Sequence, residues 1–482
     1  MIATKYILEF FKNKKINTFY VFQGGAIMNL INEIGKDKKS KFIIPHHEQS
    51  LSMQVDTSSR LNGYSVGMVT SGPGATNILT GVCSAFYDSI PCFFITGQVG
   101  QIHLKKRKNY RQFGFQETDI VSIYESVTKY VYQIKKVEEL PYQLEKAYKI
   151  SINGRPGPVI LDIPFNIQRQ NINFKNIKKV NKKKVFNNNE IKKIKILNSY
   201  LSKARKPFFV VGGGIKRSSC EKKFLKLIQK LKIPFATTWT SHDLAPYKNK
   251  YNMGSIGKNG SRSANFVAKE ADLIITLGQR FAVKNIFGEF GKKAKIIAVD
   301  IDKLELKTPL VKVNLGINLD LNIFFKNFKI SGVNKKYLDW VREASLLKKK
   351  LYEIVIFPKN KRHRKLINPF IFFNKISQSI SKNTIIHVDI GAHQTWFFQS
   401  FLHKDKQKII NHCGHGAMGS AICSSIAGYY SIKNMKNIVF IGDGGFMMNV
   451  QELNYIKSKK LPIKIVVLNN FSLGNTFLGT RL

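Results

Sequence analysis

A carboxylate at Asp443 and an amide at Asn470, each following an apolar run, are the residues of this 482-residue chain that most directly suggest chemistry. The run 438–441, Ile-Val-Phe-Ile, reads as a buried strand that breaks at Gly442-Asp443-Gly444-Gly445, where glycine lets backbone approach a ligand. A helix is expected over 450–457, then a lysine-rich turn and a second apolar run, 463–468, ending at Asn469-Asn470. Strand, helix and strand in that order place Asp443 and Asn470 at neighbouring carboxyl ends, the edge where open α/β sheets bind ligands. A carboxylate and an amide oxygen suit Mg²⁺ completed by water and phosphate oxygens. The amides after Gly442 can take phosphate. For the Gly-Asp-Gly triplet alone a capped glycine turn is the simpler reading, and the whole pattern favours metal and phosphate.

Other strand ends carry residues of the same kind. The short run 19–22 turns at Gln23-Gly24-Gly25-Ala26 into a helix, and the run from Phe42 ends at His46-His47-Glu48-Gln49. A further run leads into Ser71-Gly72-Pro73-Gly74, where Pro73 presets a first helical turn and the glycines allow close approach. Alone, a glutamate after a strand is a solvated cap more often than a catalyst. Yet these segments form a series with Asp88-Ser89-Ile90-Pro91, Thr96-Gly97-Gln98-Val99, Phe115-Gln116-Glu117 and the Asp443 to Asn470 pattern. In order and spacing the series resembles thiamine diphosphate enzymes of the acetolactate synthase large-subunit kind.

That resemblance implies an α/β fold of three doubly wound parallel-sheet domains: pyrimidine-binding (1–173), central (190–330) and diphosphate-binding (366–482), the last incomplete. It implies thiamine diphosphate and Mg²⁺, the metal held by Asp443, Asn470 and the main-chain carbonyl of Ser472. Gly24, Gly25, Gly442, Gly444 and Gly445 would line the cofactor. Glu48 matches the family glutamate that hydrogen-bonds the aminopyrimidine and so promotes proton removal from the reactive thiazolium carbon. Gln116 would face substrate, as would Gln98. The segment Gly391-Ala392-His393-Gln394-Thr395-Trp396 matches the family pattern GxHQxW and makes His393 a diphosphate contact. Gly414-His415-Gly416-Ala417-Met418-Gly419 matches a glycine turn in which a bulky apolar residue, here Met418, bends the cofactor; Gly416 would lie against it.

In the central domain Gly278-Gln279-Arg280-Phe281 matches a segment whose arginine contacts the second substrate, which makes Arg280 either a clamp for a substrate carboxylate or an ordinary ion-pair partner. The two aspartates that follow the phenylalanine in that family are absent, which leaves FAD and the usual acceptor open. Gly212-Gly213-Gly214 is not spaced as GxGxxG and reads as a structural turn. The activity implied is decarboxylation of a 2-oxo acid, pyruvate first, followed by carboligation to a second carbonyl compound. Homodimers or homotetramers would share each site between the first domain of one subunit and the third of another.

Departures from the family pattern keep alternatives open. Residues 473–479 put Gly479 where the family carries a tryptophan. The segments 114–121 and 235–239 are closer to enzymes of surface-polysaccharide sugar synthesis. A related carboligase or decarboxylase with a sugar-linked acceptor, or a catalytically impaired truncated relative, are the alternatives. Family members continue beyond the Asn-Asn strand through further elements, whereas this sequence ends at Leu482, so the third domain is expected to be incomplete, the sequence being either a fragment or the product of a shortened gene.

Composition bounds the rest. The chain is 43% hydrophobic without a run approaching the roughly 18 apolar residues of a membrane span. Its N-terminus lacks the uninterrupted apolar region of a signal peptide, so a cytoplasmic protein is expected. Five cysteines, none spaced as CxxC, suggest neither a disulfide framework nor a metal cluster. The net charge of +48 is spread along the chain with abundant Asn, Ile, Phe and Tyr, which fits compositional drift better than a nucleic-acid surface. Lysine-rich stretches at 174–189 and 348–365 read as linkers between the domains.

Overall fold

A computed structural model describes residues 1–105, 110–173, 188–330, 336–356 and 367–474. The chain divides into two compact units, one of Met1–Lys184 with His412–Val467, the other of Val185–Asn411 with Leu468–Leu482.

In the first unit β1 (Thr18–Val21), β2 (Lys41–Ile43), β3 (Val66–Val69), β4 (Phe93–Gln98), β5 (Tyr130–Gln133) and β6 (Val159–Pro164) form one sheet. Its order is β2-β1-β3-β4-β6-β5, and the pairings are parallel. β3 and β4 are buried along their whole length, as strands covered by helices on both faces must be. Adjacent residues serve opposite cores: Phe93 packs with Phe11, Phe19 and Leu161, and Phe94 with Leu51, Val55 and Ile426. Because the chain leaves β1 for β2 on one side and β3 on the other, the switch point lies between β1 and β3. Gly24-Gly25 and Thr70 to Gly74 follow those two strands.

The helix Glu48–Asn62 is capped by the His47 imidazole, whose Nδ1 accepts from the Gln49 amide at 3.0 Å, and ends at Gly63 with φ 89°. Nearly all of it is buried despite its polar sequence. Its small serines let it lie close to the helices Leu79–Tyr87 and Ser420–Ser431, with Thr57 Oγ1 donating to Ser424 Oγ at 3.0 Å. Arg60 is buried in the same seam, bonding Asp56 through Nε at 2.8 Å and Asp88 through Nη2 at 2.7 Å. His412 Nε2 stands 3.3 Å from the second Asp56 oxygen. Burial keeps that imidazole neutral, lowering its pKa to about 4 despite Asp56.

The first unit also holds β15 (Lys436–Gly442) and its neighbour β16 (Ile463–Leu468). Between them the sequence reading expected one helix at 450–457; the structure has two, Asp443–Met448 and Glu452–Ser458. The helix starts directly at Asp443 and breaks at Asn449, with φ −135°.

In the second unit β7 (Pro207–Val211), β8 (Phe235–Thr237), β9 (Asn252–Ser255), β10 (Leu273–Leu277), β11 (Lys295–Asp300) and β12 (Leu315–Asn318) form a parallel sheet in the order β12-β11-β10-β7-β8-β9. The apolar runs at 208–211, 273–276 and 295–299 are its central strands. β13 (Thr384–Val388) and β14 (Lys408–Ile410) pair in parallel in the same unit.

The lysine-rich segment read as a second linker from Lys348 is corrected in part. A 21-residue helix, Lys336–Ile356, runs through its start. Lys348 is buried there, its Nζ donating to the Tyr247 carbonyl, and burial lowers its pKa to about 7. Residues 357–365 and, in the first expected linker, 174–187 lie outside the described residues; Asn188 and Asn189 open the helix Asn188–Lys203.

Candidate active site

The first sheet brings Gly24, Thr70, Gly74, Glu48 and Asn77 together at its carboxyl edge. Gly24 packs so closely on Thr70 that a Cβ there would lie 2.4 Å from the threonine Cβ, while Ala26 N donates to Thr70 Oγ1 at 3.1 Å. No other residue fits at 24. Gly25, by contrast, faces open space. Glu48, at the first helical position, is 8% exposed. Asn77 Nδ2 donates to its Oε2 at 3.1 Å, and Oε1 lies 3.5 Å from where a Gly74 Cβ would stand. The sequence reading passed over Asn77, although Pro73-Gly74-Ala75-Thr76-Asn77 places it one turn into the helix that faces Glu48.

Gln116 has φ 62°, in the left-handed region, and rests on Gly72, whose φ is 57°. A Gly72 Cβ would stand 2.9 Å from the Gln116 Cβ. Glu117 organises this loop, a role the sequence reading missed. Its carboxylate accepts from the Lys105, Phe113 and Gly114 amides at 2.7, 2.8 and 3.1 Å. Burial opposes the charge, but the three amides and Lys105 hold the pKa below the ordinary glutamate value.

Gln98 is the last residue of β4. It is fully buried; its Nε2 donates to the Thr118 carbonyl at 2.9 Å and to Asp162 Oδ2 at 3.0 Å, and its Oε1 accepts from Val99 N at 3.0 Å. Those bonds use its amide within the chain, so the geometry gives Gln98 a structural task. Asp162, at their centre, is raised by burial to about 6, against the pull of Gln133, Thr96 and Gln98.

On the C-terminal part of the first unit, Gly442 precedes the helix Asp443–Met448, so the carboxylate and the amides of Gly444 and Gly445 form its first turn. Gly419, with φ 80°, is wedged against this segment: a Cβ would meet Met448 Cβ at 2.7 Å and Asn449 Nδ2 at 2.8 Å. Asn449 Nδ2 donates back to the Gly419 carbonyl at 3.3 Å. Gly416 has φ 76° and open space beside it, and Met418 is half-buried.

In the second unit His393 lies in the first turn of the helix Ala392–Ser400. A Cβ on Gly391 would come within 2.8 Å of its ring, which explains that glycine. The imidazole is 3% exposed, and its Nε2 makes no hydrogen bond. Burial lowers its pKa to about 4, with the Asp389 backbone resisting, so the ring is neutral at pH 7. Asn470 is exposed, its Oδ1 accepting from the Ser472 amide at 3.2 Å. Gly474 ties this turn to the helix of His393: a Cβ there would lie 3.1 Å from Asn470 Nδ2 and 3.4 Å from Ala392 Cβ.

At the second sheet's switch point, Gly212 abuts the Gly278 carbonyl at 2.2 Å from a built Cβ, and Gly214 N donates to that carbonyl at 3.0 Å. The triglycine thus serves close packing of two loops. Arg280 beside it is exposed, and Gln279 is buried with neither amide atom hydrogen-bonded. Among the described residues no group of three or more His, Cys, Asp or Glu could hold a metal ion.

Comparisons with known proteins match three segments of the chain. Residues 1–123 match the thiamine pyrophosphate enzyme N-terminal TPP binding domain, 194–327 the central domain, and 389–480 the C-terminal TPP binding domain. The acetolactate synthase large subunit of Lactococcus lactis is 32% identical over 98% of this chain and 81% of its own length. The isozyme 2 large subunit of Escherichia coli is 30% identical over 98% of this chain and 84% of its own. The chloroplastic acetolactate synthase of Arabidopsis thaliana is 31% identical over 97% and 70%.

Proposed function

Since the chain belongs to the thiamine pyrophosphate enzyme family, with its three parallel-sheet α/β domains, and is similar along its length to acetolactate synthase large subunits, we propose that it decarboxylates a 2-oxo acid, pyruvate first, and joins the remaining fragment to a second carbonyl compound. The observation that carries the proposal is Glu48: a carboxylate at a sheet's switch-point edge, buried and held by Asn77, in a family whose chemistry begins with proton removal. Thiamine diphosphate, when bound, supplies the electron sink for decarboxylation.

The chain's own residues do the rest. Glu48 would hold the proton at the aminopyrimidine nitrogen, with Asn77 fixing its orientation. Asp443 and Asn470, with the Ser472 carbonyl, would hold Mg²⁺, while the Gly444 and Gly445 amides receive phosphate oxygens. His393 suits a diphosphate oxygen, because its buried Nε2 lacks a hydrogen-bond partner within the chain. The open space at Gly416 suits the approach of a ring. Gln116, beside the Gly72 turn, is the substrate-facing residue, whereas Gln98 is occupied elsewhere. Decarboxylation followed by carboligation is redox-neutral, so the reaction calls for no flavin chemistry, and FAD is not assigned.

A second reading concerns the acceptor. Arg280 is followed by Phe281-Ala282-Val283, with Val283 64% exposed, where related synthases carry aspartates. This favours a different acceptor, such as a sugar-linked carbonyl, contacted by Arg280. A homodimer or homotetramer with sites shared between subunits belongs to the same proposal. Carbon dioxide release from pyruvate, with product analysis against acetaldehyde, 2-oxo acids and keto sugars, tests it. Release with a condensed product supports carboligation; free acetaldehyde alone identifies a decarboxylase; no release from any 2-oxo acid contradicts the proposal.

A further inference from the structure

Glu452 begins the helix Glu452–Ser458 in the segment that follows Asp443, and its side chain is fully buried. Its Oε1 accepts from the His46 amide at 2.9 Å, across 406 residues of sequence. Its Oε2 is buried and makes no hydrogen bond. Burying a carboxyl oxygen without a geometric hydrogen bond is costly, so the bond at Oε1 is held in place at some expense. The loop it holds is the two-residue approach to Glu48, whose other side is fixed by the His47 cap on Gln49.

We propose that Glu452 is a positioning residue for Glu48, fixing through the His46 amide the entry to the helix on which Glu48 stands. This rests on the function proposed above, because it is the proton chemistry of Glu48 that the positioning serves. Burial raises the Glu452 carboxyl to about 7, against the His46 amide, the Ser50 hydroxyl and the His47 amide. It therefore passes from neutral to charged near neutral pH, and the ionised form leaves an unpaired charge beside the loop. The titratable groups around it are His46, His47 and Glu48 on the loop and its helix, Tyr455 on its own helix, Tyr430 on the helix Ser420–Ser431, and Tyr20 on β1. Burial pushes Tyr20 up to about 12 and Tyr455 higher still, so neither tyrosine titrates near 7.

The experiment is deuterium exchange at the reactive thiazolium carbon of thiamine diphosphate bound with Mg²⁺ to the full chain, measured from about pH 6 to about pH 8.5. E452A is expected to slow exchange roughly ten- to hundredfold while cofactor affinity changes little, because the Glu48 approach loses its anchor. E452Q, which keeps the acceptor, is expected to exchange at the wild-type neutral rate and to lose the decline that the wild type shows above about pH 7. That decline should persist in H46N and H47N. E452A exchanging as fast as the wild type overturns the inference, and so does a shared pH profile for E452Q and wild type, which decides the matter even if E452A does not fold. A wild type that accelerates exchange while E452A matches it leaves the proposed function standing and removes this inference alone. A wild type no faster than free cofactor overturns both.

Discussion

Glu48, Glu117 and Glu452 share a residue type but occupy three electrostatic settings within the first unit. Replacing Glu48 with glutamine keeps the Asn77 contact through the amide oxygen and removes the ionisable group. E48Q is therefore expected to bind thiamine diphosphate normally and to lose turnover by about 10²- to 10⁴-fold in a carbon dioxide release assay. Glu117 is held charged by backbone amides, so its stabilising contribution is present above the ordinary glutamate range and is lost as pH falls through its lowered folded-state value. E117Q, with one acceptor oxygen fewer, is expected to raise KM for the 2-oxo acid more than the cofactor dissociation constant, because the Gln116 loop is what loosens. Glu452 has the opposite sign. Its folded-state pKa of about 7 lies above the ordinary 4.5, so its contribution is full below pH 4.5 and is lost as pH rises to about 7. Urea titrations should show E452Q gaining about 3 kcal/mol relative to wild type between those limits.

The helix Glu48–Asn62 ties one end of the candidate site to a buried ionic seam two turns further along. Arg60 there serves both Asp56 and Asp88, and removing it leaves two buried carboxylates without their cation. R60A is accordingly expected to destabilise the chain by about 3–5 kcal/mol, measured by chemical denaturation. The apolar elements were legible in the sequence: the run 463–468 is β16, and the runs at 273–276 and 295–299 are β10 and β11. Glycine placements were legible too, because Gly24 and Gly72 answer to backbone geometry that neighbouring residues announce. What escaped notice were polar side chains with interior tasks. Glu452, Glu117 and Asp56 look in sequence like solvated charges, and only the distant amides or arginine that meet them mark them as buried. Lys348 misled in the same way: a lysine cluster suggested a linker, whereas Lys348 stands on a long helix with its side chain buried against Tyr247.

At the scale of the chain, the net charge of +48 sits on a fold whose candidate ligands are a diphosphate and small carboxylates. Such a field favours anion approach and makes association sensitive to salt. No described helix is long and apolar enough to cross a membrane. The order of motifs conveyed the three-domain plan, whereas the acceptor was not legible, since Arg280 and the residues after it depart from the pattern that would identify it. The central claim is that thiamine diphosphate binds through Mg²⁺ at Asp443 and is activated by Glu48. Its most direct test is calorimetric titration of thiamine diphosphate in the presence of Mg²⁺ into wild type, D443A and E48Q. The account predicts binding by wild type and E48Q with similar affinity and loss of binding in D443A. Wild-type binding unchanged in D443A, or no wild-type binding at millimolar cofactor, would contradict it.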